Sequence, residues 1–176
     1  MNAIQHCELP QEALLGKYRQ EGAYTDCYFV ELPGVFTQAE YVEAFYTTRL
    51  IKAERLILSL LVSKPSSDRQ AKQLAKGETK TFAAWSVENQ TGNQLLLSDF
   101  LGRTRSWLMS VVDESGNSSR TRLYFGSAVV LKLNAATGQA SFGFAFHALL
   151  SFHKLYSRAL LRSASSRLAR SEHDLK

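Results

Sequence analysis

No acidic residue occurs between Ser115 and Ser171, a window that holds eight Lys or Arg. Residues 1–114 carry 12 basic and 14 acidic side chains, so the net charge of +5 is concentrated in the last third of the chain. Cysteine is scarce: Cys7 and Cys27 stand alone, with no Cys-x-x-Cys pair or Cys/His cluster, which argues against a structural zinc site. The opening Met1 to Glu8 has neither a basic n-region nor an apolar h-region, so no secretory signal is visible. The expected setting is therefore the reducing cytoplasm, with both thiols free. Long apolar runs are missing as well. The most apolar window, Ala140 to Phe152, spans 13 residues and contains His147. That is short of the roughly 20 residues needed to cross a bilayer. There is no Gly-rich phosphate loop, no serine nucleophile elbow and no recognisable pair of catalytic carboxylates. No reaction declares itself, and nothing calls for a metal or cofactor.

What is present suits one folded unit. The chain has 176 residues, 45% of them hydrophobic, enough for a single sizeable core. Residues 1–22 read as a loosely attached leader with a short helix from Pro10 through Tyr18, ended by Gly22. Residues 23–170 read as the domain and 171–176 as a tail. Tyr24 to Leu32, rich in aromatic and β-branched residues and closed by Pro33-Gly34, predicts a strand. Thr37-Gln38-Ala39-Glu40 has capping-box spacing and predicts a helix with Tyr41, Ala44 and Phe45 inward. Leu50 to Val62 predicts a second helix. Ser63 to Gly77 is polar and reads as a mobile linker with room for a short helix.

The periodicity then changes to strands at Thr79 to Asn89, Gln94 to Phe100, Arg103 to Asp113 and Arg120 to Leu133. In the last of these, Leu123, Phe125, Ser127 and Val129 share the expected core face. Gly126 is read as relieving crowding or allowing a bend. From Ser141 to about Leu168 the spacing favours a long helix, with a strand through His147 as the competing reading. The expected class is α+β: a curved antiparallel sheet of about five to seven strands, two short helices after the first strand, and a C-terminal helix laid across the sheet. A helix on a curved sheet leaves room for a cavity.

The order of elements, with Tyr24-Thr25-Asp26-Cys27-Tyr28-Phe29, Arg105-Ser106-Trp107-Leu108-Met109 and the tail Phe152-His153-Lys154, resembles the DUF2867 family of uncharacterised bacterial proteins. That family is similar to the helix-grip domains of the START and polyketide-cyclase (SRPBCC) superfamily. The resemblance covers roughly residues 23–165 and implies a helix-grip fold with a pocket, but no established reaction. The family pattern places Pro before the Phe-His pair, where this chain has Ser151.

Several residues are candidates for binding. Asp26 between Tyr24 and Tyr28 suits a polar ligand head or a hydrogen-bond network at a sheet edge. His153 suits a ligand contact, a proton carrier or a tether of helix to sheet, and Tyr156 lies one turn on. Arg103, Arg105 and Trp107 alternate onto one face, to which Tyr124 is added from the next strand. Guanidiniums beside aromatics suit an anion, or an outward surface guarded by charge. Asp99 is within reach of Arg103 and Arg105 for an ion pair.

Three functions follow as expectations. The first is a binding module whose cavity takes a hydrophobic or amphipathic small molecule. The second is a cyclase- or hydratase-type enzyme using Asp26, His153 or Tyr156 in that cavity. The third is an interaction protein whose basic C-terminal helix docks on anionic lipid or an acidic partner. No specific nucleic-acid motif is visible.

Overall fold

The computed structural model describes residues 3–52, 66–115, 118–130 and 144–173, with side chains in the last segment described over 154–170. The strands are β1 (Gln5–His6), β2 (Tyr24–Pro33), β3 (Thr81–Phe82), β4 (Trp85–Gln90), β5 (Gln94–Asp99), β6 (Thr104–Asp113) and β7 (Arg120–Val129). They form one antiparallel sheet in the order β1-β2-β7-β6-β5-β4-β3. The first long strand thus lies beside the last, and β3 to β7 run as a meander. The helices are α1 (Gly16–Gln20), α2 (Gln38–Tyr46), α3 (Asp68–Ala75) and α4 (Phe144–His173). At 1.5 Å per residue the 30 residues of α4 reach about 45 Å. The fold is α+β and compatible with a helix grip.

Local chemistry accounts for the helix starts. Thr37 accepts from the Glu40 backbone N–H while Glu40 accepts from that of Thr37, the reciprocal pair expected from the sequence. Ser67 and Gln70 repeat the device at α3. The polar segment read as a linker is therefore docked, with Ala71 and Leu74 fully buried. From 144 onward the competing strand reading gives way to α4, while 131–143 and 53–62 lie outside the described residues; 49–52 are helical.

Two cores result, one on each side of the sheet. On the first side α2, α3 and α4 cover Tyr28, Val30, Leu95, Leu97, Leu108 and Leu123. On the other, Ala13, Leu15 and Tyr18 of the first 22 residues pack on Leu96, Trp107, Met109 and Tyr124. The expectation of a loosely attached leader is thus overturned: Leu15 is completely buried, and β1 joins the sheet edge. Its short helix begins at Gly16, later than expected, and Gly22 follows its end with φ +82°. Gly126 is fixed by this second core. A Cβ there would stand 2.9 Å from both the Asp26 carbonyl oxygen and the Trp107 ring.

Candidate functional site: a cavity between the sheet and the C-terminal helix

Between the sheet and α4 lies a cavity of about 230 Å³, walled by Phe45, Ile51, Phe82, Phe125 and Leu160. The aromatic wall is continuous. Ring centroids are 5.1 Å apart for Phe45 and Phe125, 5.2 Å for Phe45 and Tyr46, and 5.0 Å for Tyr46 and Phe82. At its β3–β4 side the wall includes Ala83, the one positive-φ non-glycine residue among those described, at φ 51°. Ala in that conformation costs about 1–2 kcal/mol, so packing around the cavity holds a strained turn.

Six hydroxyl-bearing residues interrupt the apolar wall: Tyr46, Thr104, Ser106, Ser127, Tyr156 and Ser157. Register explains two of them. Ser106, Ser127 and Asp26 are direct partners across β6, β7 and β2, making one polar row on the face that α4 covers. Asp26 is 3% exposed, and its Oδ1 accepts from the Ser127 backbone N–H at 3.1 Å and from the Ser127 hydroxyl. Tyr46 and Ser106 oxygens are 3.5 Å apart. Ser157, fully buried on α4, has a hydroxyl with no hydrogen-bond partner among the described residues. One level along, burial and then the Asp26 charge push the Tyr28 phenol up to about 12, so it stays protonated.

The sequence-derived candidates separate. Tyr156 and Arg105 border the cavity, while Asp26 and Tyr28 lie on the same side of the sheet behind its wall. Arg105 nevertheless sends its guanidinium to the opposite face, donating to Tyr18 Oη at 2.7 Å and Glu88 Oε2 at 2.6 Å. Trp107 and Tyr124 are not outward-facing: they are 0% and 9% exposed, within the second core. Trp107 Nε1 donates to Gln94 Oε1 at 2.9 Å, and Gln94 also ties down the Leu14 N–H and the Glu12 carbonyl. Arg103 is exposed at the β5–β6 corner. The expected ion pair around Asp99 is replaced by a turn, in which Asp99 Oδ1 accepts the Arg103 and Thr104 backbone N–H groups. His153 lies in α4, and its side chain is outside the described residues. Ser106, Ser157 and Tyr46 were not sequence candidates. Their only signal is a small or polar residue breaking an apolar face.

On the second face, burial alone would raise the Glu88 pKa, but hydrogen bonds from Lys17, Tyr18 and Arg105 outweigh it and hold the carboxyl below its ordinary value. That network is complete without a ligand. Among the described residues, no three His, Cys, Asp or Glu side chains gather as a metal site, and no helix is long and apolar enough to cross a membrane. No family model, curated protein or solved structure matches the chain.

Proposed function

We propose that this protein is a binding module that holds a hydrophobic or amphipathic small molecule between its sheet and α4, in the manner of the START and polyketide-cyclase-like domains that its DUF2867-like sequence resembles. The observation carrying this reading is the 230 Å³ cavity, which the described side chains wall but do not fill. A concave, largely apolar space with a few convergent hydroxyls is the kind of place where proteins take small molecules. The placement of β2 beside β7 supports the same reading, since it sets the strands under α4.

The test is a melting-temperature screen with small apolar compounds, alongside a Leu160→Trp variant that fills the space. At one hundred times its dissociation constant a ligand adds about 2.7 kcal/mol, a shift of roughly 5–10 °C for a chain this long. The variant should lose that shift. Equal shifts in both proteins, or none from any compound, would sink the reading.

A further inference from the structure

We propose, resting on the cavity reading above, that the occupant is a neutral one- or two-ring molecule bearing a hydroxyl or carbonyl group, seated against Ser157. Size comes first. A dry engineered cavity of about 150 Å³ takes benzene, so about 230 Å³ suits a slightly larger ring system. Phe45, Phe82 and Phe125 offer ring faces and edges to it. The polar group is located by Ser157, a cavity-lining residue whose fully buried hydroxyl has no partner among the described residues. A hydroxyl both donates and accepts, so it selects for hydrogen bonding rather than for charge.

Charge is selected against. Among the described residues the one charged side chain bordering the cavity is Arg105, and its guanidinium is occupied by Glu88 and Tyr18 across the sheet. Behind Ser127 sits the buried carboxyl of Asp26. An anionic head would enter without a free cation among the described lining residues, the costly arrangement for a desolvated charge.

Three ring-matched probes separate the possibilities: naphthalene, naphthol and naphthoate, with binding followed through fluorescence of Trp85, which lines the cavity. Naphthol should bind about five- to tenfold more tightly than naphthalene, the worth of one net hydrogen bond, and naphthoate most weakly. In Ser157→Ala the naphthol advantage should vanish while naphthalene affinity holds. Naphthoate matching naphthol, or an advantage unchanged in Ser157→Ala, overturns the head-group inference and leaves the cavity reading standing. No binding by any probe overturns both.

A separate observation carries a second proposal. Cys7 continues the β1–β2 register opposite Cys27: its N–H donates to the Cys27 carbonyl at 3.0 Å, and the two sulfurs are 3.3 Å apart. The geometry points to an oxidisable pair that fastens the first residues to the sheet edge. Cys7, the half-buried partner, has its pKa lowered by contact with the Cys27 thiol, whereas that contact and burial raise Cys27. With a small disulfide such as oxidised glutathione as oxidant, the Cys7 thiolate attacks one sulfur and expels a thiolate. Cys27, losing its proton to solvent, then attacks the Cys7 sulfur and expels the second. The net change is two protein thiols to one disulfide and one glutathione disulfide to two thiols. After such treatment the intact chain should titrate with no free thiol, show no glutathione adduct by mass, and melt at a higher temperature, changes absent in Cys7→Ser. Two persisting thiols, or stable mixed disulfides, would refute it.

Discussion

The two faces of the sheet are built on opposite terms. Under the N-terminal segment every notable polar group is spoken for: Gln94 serves Glu12, Leu14 and Trp107, and Glu88 holds Lys17, Tyr18 and Arg105. Under α4 the described side chains leave a cavity, with the Ser157 hydroxyl unpaired among the described residues. Buried polar groups in folded proteins are almost always hydrogen-bonded. The face that obeys this rule is scaffold, and the face that breaks it is the one to which we assign the proposed ligand.

The largest disturbance should come from the closed face. Trp107→Ala removes a fully buried indole and strands Gln94, and should cost about 3–5 kcal/mol in urea unfolding. A cost below about 1 kcal/mol would show that the second core is not tightly packed. Gly126→Ala comes next at about 1–3 kcal/mol, because the new methyl group meets the Asp26 backbone and the Trp107 ring.

On the open face the sign should reverse. Ser157→Ala deletes an unpaired buried hydroxyl, so the ligand-free protein should gain about 1 kcal/mol. Destabilisation instead would mean that the hydroxyl is already satisfied and the contrast between the faces is false. The smallest effect is a pH dependence. The folded pKa of Glu88 lies below its unfolded value of about 4.3. Its contribution is thus complete above that pH and lost as pH falls through the lower, folded value. Urea midpoints taken on acidification should fall less in Glu88→Gln than in the parent.

Much of the architecture is local enough to read from sequence. The Thr37 capping box and the strands β2, β5, β6 and β7 follow from spacing alone. The segment from Thr79 is instead split into β3 and β4 by the turn at Ala83, and spacing left the start of the final helix open against a strand. The second core does not, because Ala13, Leu15 and Tyr18 show no period and their partners lie far along the chain. One clue was there: Leu95-Leu96-Leu97 and Trp107-Leu108-Met109 are uninterrupted apolar runs, the mark of strands covered on both faces. Reading Arg103, Arg105 and Trp107 as one outward face followed the alternation of the arginines and overlooked that run. The cavity hydroxyls are legible only once register sets Ser106 beside Ser127 and the fold brings Ser157 over them.

The basic row on the C-terminal helix carries one more consequence. Lys154, Arg158 and Arg162 are exposed and follow one another at four-residue steps along α4. Like charges at that spacing oppose helix formation by ~0.2–0.5 kcal/mol per pair. The outer row therefore repels itself along the axis, and the helix is maintained by its inward side, through Leu160, Leu161, Ala164 and Leu168. Excised as a peptide it would lose that support and fray, and dissolved salt, by screening the row, would favour its helical state.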